Sequence, residues 1–218
     1  VLGWNLLQQI ARFHEVWALT QEEDRTTVEE SLEDGFSSNI HFQYVRLPAV
    51  LRPLLRMQGG HQLYYYLWQI KAYFVAKKLH KQQRFDLFHH ITYANDWGAS
   101  FIGALLPVIY IRGPGGGAQR TPKKFLSQYN LKGRLWEHLR TVGQWLFRHD
   151  PFFVLGQSRA KAILVCNPES LAALPGRWKA KAHLFSVNGV SATDLALYSS
   201  AKPTEGTFRV LSASKLLR

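Results

Sequence analysis

The sequence predicts an α/β fold built on a parallel β-sheet that is covered by helices on both faces. Two patterns along its 218 residues support this prediction. Segments typical of strands alternate with segments typical of helices, and most strand segments are continuous apolar runs without polar alternation. Continuous apolar runs are typical of strands that are buried on both faces of a sheet. A hydrophobic content of 46% is sufficient to build such a core.

The spacing of apolar residues in the first half of the chain predicts two helices and two strands. Apolar residues recur at helical spacing in residues 2–13, and the run HEVWALT (14–20) then predicts a short buried strand. The acidic residues 22–35 predict a loop that contains a turn of helix. The run IHFQYVRLP (40–48) alternates like a strand and stops at a proline. A long helix over residues 61–83 has an apolar stripe and basic residues at its end, where cations suit the helix dipole.

The second half continues the alternation of strands and helices. In chain order the segments are a strand FDLFHHIT (85–92), a helix near 95–105, a strand PVIYIRG (107–113), a glycine loop GPGGGAQRTP (113–122), a helix 122–147 with a break near Gly133, a short helix after Asp150-Pro151, a strand AKAILVCN (160–167), a helix PESLAAL (168–174) and a strand KAHLFSVNG (181–189). Residues 191–207 predict a connection, and FRVLSAS (208–214) predicts the start of one more strand.

The charge and the cysteine content restrict the possible functions. The net charge is +12, from 27 basic and 15 acidic residues, and it favours an anionic partner: nucleic acid, a phosphorylated small molecule or an anionic membrane surface. No CxxC, HxxxH or HExxH spacing occurs, and a dedicated metal site is therefore not expected. The single cysteine, Cys166, excludes an internal disulfide.

Two predicted strands end in polar or flexible residues. His89 and His90 end the run FDLFHHIT, and the next strand ends in glycines. Because ligands of open parallel sheets bind outside the carboxyl ends of the strands, both tips are expected to line one crevice. Adjacent strand residues point to opposite faces, so one histidine is expected to face the crevice and the other to pack against a helix. The alternative is that both histidines are structural.

The glycine loop is a candidate anion-binding segment. Glycines let the backbone approach a phosphate or sugar and direct N–H groups toward it. The candidate residues are Gly113, Gly115, Gly116 and Gly117, flanked by Arg112 and Arg120. The pattern is neither GxGxxG nor GxxxxGK[ST], and a flexible loop without a ligand is an equal alternative.

Four segments together resemble family 4 retaining glycosyltransferases of the GT-B class. They are LYYYLWQIKAYFVAKKLHKQQRFDLFHHITY, IRGPGGGAQRTP, ILVCNPESLAALP and VNGV near residue 190, and the resemblance runs from about residue 2 to residue 218. It implies an enzyme with two Rossmann-like halves, each a doubly wound parallel sheet. The N-terminal half binds the acceptor and the C-terminal half binds a nucleotide-sugar. It also implies that no metal or other cofactor is needed, because a helix dipole and basic side chains hold the departing diphosphate.

The resemblance also implies a domain division and site residues. Residues 1–190 correspond to the acceptor domain, residues 191–207 to the connection, and residues 208–218 to the first strand of the donor domain. His89 or His90 is expected to contact the reacting sugar. Lys215 stands where the family usually has an arginine that reaches the diphosphate. The family's first strand and its paired-glutamate motif are not found, so the chain resembles a fragment that is expected to be inactive alone.

The implied partners are a nucleotide-sugar donor and a saccharide or lipid-linked acceptor. A cytoplasmic location is expected, with peripheral contact to an anionic membrane through the basic residues of 61–84 and 120–134. One alternative is a non-catalytic α/β protein that binds a phosphorylated ligand. Another is a basic nucleic-acid-binding module, although no RNP, helix-turn-helix or zinc-finger pattern occurs.

The missing first strand has a consequence for the sheet. In the strand order 3-2-1-4-5-6, the first strand lies between the second and the fourth. The runs HEVWALT and FDLFHHIT are therefore expected to be separated, either by a gap or by FRVLSAS as a substitute strand.

Overall fold

The computed structural model describes residues 2–32, 38–57, 60–91, 95, 97–117, 120–187 and 196. Contacts divide the chain into two compact units, Val1–Val187 and Asn188–Arg218. All the elements that follow belong to the first unit. The proposed donor-side strand 208–214 and Lys215 lie outside the described residues.

The strands and helices of the first unit alternate along the chain. The strands are β1 (Val16–Gln21), β2 (Ile40–Val45), β3 (Leu87–His90), β4 (Ile109–Gly115), β5 (Ala162–Val165) and β6 (Ala182–Leu184). The helices are α1 (Leu2–Ala11), α2 (Arg25–Leu32), α3 (Gly60–Gln83), α4 (Phe101–Leu105), α5 (Lys123–Leu126), α6 (Leu131–Arg148), α7 (Pro151–Arg159), α8 (Pro168–Ala173) and α9 (Gly176–Lys179). Two 3-10 helices span Glu22–Asp24 and Ala49–Arg56.

All the strand pairs are parallel, which confirms the predicted α/β class. Strands β1 and β2 form one two-stranded sheet, and β3, β4, β5 and β6 form a second sheet in that order. Strands β1 and β3 do not pair, and no strand of the described residues lies between them. The expected separation of β1 from β3 is therefore present among these residues, and the substitute strand 208–214 lies outside them. Just before β3, the ring of Phe85 lies near that of Trp17 in β1, with centroids 5.3 Å apart.

Helix α3 packs against both sheets and so connects them. Its Trp68 Nε1 donates a hydrogen bond of 2.9 Å to the carbonyl oxygen of Val45, the last residue of β2. Its Tyr65 hydroxyl lies 2.8 Å from Nε2 of His90 at the end of β3. Tyr64 and Trp68 belong to a buried cluster with residues of both sheets packed against it. The apolar side chains of α3 therefore pack mainly in the core.

Three helices differ from the sequence prediction because side chains fix their ends. Helix α2 replaces most of the expected acidic loop, since Arg25 bridges Glu22 at 2.8 Å. Helix α4 begins only at Phe101, because Ser100 caps it by accepting the Gly103 N–H. The long helix expected over 122–147 is divided into α5 and α6, because Asn130 caps α6 in the same way. Helix α9 was not predicted.

No helix in the described ranges is long and apolar enough to cross a membrane.

Candidate functional site

The tips of β3 and β4 lie side by side, as the sequence predicted. His89 is paired in register with Ile111, and His90 with Arg112. The histidines therefore end one strand of a parallel pair, and the glycine-rich segment ends the other. This is the carboxyl edge of the sheet, where ligands of parallel α/β folds bind.

His90 is buried against α3, an environment that does not favour its prediction as the catalytic histidine. Its side chain is only 6% exposed and faces α3. Nε2 contacts the Tyr65 hydroxyl at 2.8 Å and Gln69 Nε2 at 3.4 Å. Both contacts come from α3, so the imidazole is held against that helix.

His89 lies on the opposite side of β3 and remains half-buried. Its Nε2 is 2.7 Å from the carbonyl oxygen of Gly113, and because a carbonyl can only accept, Nε2 carries the proton. Nδ1 then holds the lone pair. Burial lowers the pKa of His89, and the bond to Gly113 opposes this shift only in part. The neutral ring can therefore accept a proton or a hydrogen bond at Nδ1.

Half of the predicted glycine loop belongs to the sheet. Gly113 and Gly115 are buried residues of β4, and Gly115 pairs with Val165. Gly113 has φ +103°, and a Cβ there would lie 2.1 Å from the Leu164 carbonyl oxygen. These two glycines allow the close approach of β4 and β5, and Gly115 belongs to the strand, which corrects its prediction as a loop residue.

Gly116 and Gly117 are the glycines that reach the tip, where both are half-buried. Gly117 has φ +102°, a conformation that favours glycine. A Cβ added to Gly117 would lie 3.7 Å from Nε1 of Trp97 and 3.9 Å from Cβ of Asn95. The glycine tip therefore adjoins the segment that follows β3.

The two arginines that flank the glycines in the sequence have different environments. Arg112 is 3% exposed and donates to the carbonyl oxygens of Asn95 and, at 3.0 Å, of Gly98. It is buried where it positions the segment after β3, an environment that does not favour its prediction as a ligand-binding residue. Arg120 is exposed and lines a separate groove on α6 with Trp145 and Arg148.

A cleft lies between the first turns of α3, the segment after β3 and the end of α6. Its main lining side chains are His61, Gln62, Tyr65, Tyr66, Asn95, Trp97 and Phe147. The described lining contains aromatic rings, amides and a histidine, but no Lys, Arg, Asp or Glu. A cleft of this composition suits an uncharged ligand that has both apolar faces and hydroxyl groups.

The walls of the cleft are held by hydrogen bonds. The Tyr66 hydroxyl donates to Asp150 Oδ2 at 2.5 Å, and Asp150 Oδ1 accepts the Phe152 N–H at 2.7 Å as the cap of α7. Burial, followed by the bond to Asp150, raises the pKa of Tyr66, so the hydroxyl stays protonated. Asn95 Oδ1 accepts the backbone N–H of Trp97 at 3.3 Å. These bonds fix the cleft before any ligand enters.

The sequence patterns did not point to the cleft residues. Asn95 and Trp97 follow the tip of β3 by a few positions, which is the signal that could have found them. Tyr65, Tyr66 and Phe147 come from distant helices, and only the fold brings them to the same place.

Among the described residues, no group of three or more His, Cys, Asp or Glu could hold a metal ion. Comparisons of the chain with protein-family models, with curated proteins and with solved structures found no significant match.

Proposed function

We propose that the chain is the acceptor-binding part of a retaining glycosyltransferase of the GT-B class, and that the cleft binds a neutral saccharide acceptor. The observation that carries this proposal is the uncharged, aromatic lining of a cleft at the carboxyl edge of a parallel sheet. A sugar ring offers apolar C–H faces for Trp97 and Tyr66 and hydroxyl groups for Asn95 and Gln62.

The strand order supports the proposed GT-B half. If the two sheets are placed edge to edge with one empty position, the order β2-β1, empty, β3-β4-β5 corresponds to 3-2-1-4-5-6, and β6 is one further strand beyond that pattern. In this proposal the neutral His89, which is not part of the described cleft lining, contacts the portion of the bound sugar that extends to the tip of β3. The nucleotide-sugar donor is bound by a C-terminal half that begins near residue 208, where Lys215 neutralises the diphosphate.

The lining of the cleft favours this proposal over its two alternatives. A phosphorylated ligand or a nucleic acid would need basic side chains around the bound phosphates. The described lining of the cleft contains no lysine or arginine.

Binding of neutral sugars tests the proposal. We expect saturation-transfer NMR to detect at least one of three neutral trisaccharides, built from glucose, mannose or N-acetylglucosamine. Trp97→Ala should abolish the signal, because it removes an aromatic face of the cleft. Trp136→Ala is the matched control, since Trp136 is 40% exposed on α6 and does not line the cleft.

Inorganic phosphate and a single-stranded oligonucleotide serve as competing probes. Binding of these two alone, or trisaccharide binding that survives in Trp97→Ala, would refute the proposed acceptor site.

A further inference from the structure

Helix α6 has an exposed aliphatic face that does not pack against the core. At about 100° per residue, five of its apolar side chains fall within an arc of about 80°. They are Leu131, Leu135, Leu139, Val142 and Leu146, and their exposed fractions range from 84% to 41%. No residue of α6 is buried. We call these five residues the aliphatic stripe.

The opposite side of α6 attaches the helix to the protein. The ring of Phe147 lies 5.5 Å from that of Trp97 and 6.0 Å from that of Tyr66. Glu137 accepts a hydrogen bond of 2.9 Å from Thr121. Because these contacts hold the other side of the helix, the aliphatic stripe points away from the body of the unit.

The region around the stripe is strongly basic. Residues 120–149 contain seven Lys or Arg and one acidic residue, Glu137, whose carboxylate is bound by Arg140. On the helical wheel Lys132 lies beside the stripe. Trp145, 59% exposed, lies at its other edge, next to the groove lined by Arg120 and Arg148.

We propose that α6, with α5, docks on the surface of an anionic phospholipid bilayer. An exposed apolar stripe with basic and tryptophan flanks is typical of helices that lie in the plane of a membrane interface. The stripe would enter the acyl boundary, and the flanking cations would meet the lipid phosphates. A second copy of this surface is a poorer partner, because pairing two copies would bring like charges together.

The membrane contact proposed here lies on α6, whereas the sequence also predicted a contact along residues 61–84. Most of the apolar surface of α3 is used in the core, where Tyr64, Trp68, Ala72 and Ala76 are buried. Its exposed Leu63 and Phe74 are isolated by comparison. The proposal is independent of the saccharide site, since the stripe does not line the cleft.

Co-sedimentation with vesicles tests the docking surface. The full chain should bind vesicles of phosphatidylcholine mixed with phosphatidylglycerol, bind phosphatidylcholine alone weakly, and detach as salt rises. The double variant Leu135→Ser/Leu139→Ser should reduce partitioning at least about tenfold, because each leucine loses its apolar contact with lipid. Phe74→Ser, at a 62% exposed position of α3, is the matched control and should bind like the parent chain.

A second variant, Trp145→Gln, tests the same surface independently in case the double variant misfolds, and it should also weaken vesicle binding. Circular dichroism verifies the fold of each variant. Failure of the parent chain to bind anionic vesicles would overturn the proposal. So would equal losses in Phe74→Ser and the stripe variants. A concentration-dependent dimer that the stripe variants abolish, with vesicle binding unchanged, would show that the stripe joins two copies instead.

Discussion

His89 and His90 are adjacent in β3 but have opposite chemical environments. The alternation of side chains along a strand predicted this difference, but not which histidine faces the crevice. The answer depends on Tyr65 and Gln69, which reach His90 from a helix more than twenty residues upstream. His89 is half-buried, whereas His90 is only 6% exposed.

We predict that His89 titrates below its usual pKa of about 6.5. Its pKa is lowered by burial in the folded state, so the unfolded chain binds the proton more tightly. The stabilisation from the neutral ring is therefore complete above about pH 6.5, and it is lost as the pH falls through the folded-state pKa. NMR titration of the imidazole resonances measures the shift directly.

Urea unfolding at several pH values provides the control for this prediction. His89→Gln should flatten the dependence of the free energy of unfolding on pH below about 6.5. His183→Gln, at an exposed position of β6, should retain it. A His89 pKa at or above the usual value would show that the ring is not desolvated as described.

Gly113 and Gly143 offer a second pair of contrasting residues. Gly113→Ala should destabilise the protein by at least about 2 kcal/mol, because it combines a positive φ with a Cβ 2.1 Å from a backbone oxygen. Gly143→Ala should stabilise it by about 0.5–1 kcal/mol, because Gly143 is helical and a Cβ there meets no described heavy atom within 4 Å. Urea denaturation measures both, and equal effects would contradict the strand assignment of Gly113.

At the scale of elements, the strands were predicted better than the helix ends. The apolar runs around 16–21, 87–90 and 162–165 are all strands, as their continuous hydrophobicity predicted. The extension of β4 through Gly115 was missed, since it depends on pairing with Val165. The break before α6 was expected near Gly133, but the cap lies at Asn130.

The gap between β1 and β3 predicts uneven protection of the sheet. Each of these strands has a neighbour on one side among the described residues, whereas β4 lies between β3 and β5. Alternate amides of β1 and β3 should therefore exchange with solvent faster than those of β4, because an unpaired edge leaves N–H groups without a strand partner. Hydrogen exchange followed by NMR measures this. Equal protection in the three strands would show that a further strand occupies the gap.

Across the whole molecule, the positive charge is unevenly placed with respect to the cleft. The sequence predicted an attraction for anions from a net charge of +12, but composition cannot locate that charge. In the structure the described lining of the cleft lacks charged side chains, and a basic segment surrounds the aliphatic stripe of α6. One surface is suited to a neutral sugar and the other to an anionic bilayer.

The proposed saccharide site is tested most directly by mapping where a sugar binds. We propose a ¹⁵N NMR titration of the chain with the trisaccharide that gives the strongest saturation transfer. We predict saturable shifts of the Trp97 indole and of the amides of Asn95, Gly98 and Gly117, with α6 residues of the aliphatic stripe unchanged. Shifts confined to the basic surface of α5 and α6, or no saturable shift around Trp97, would contradict the acceptor site.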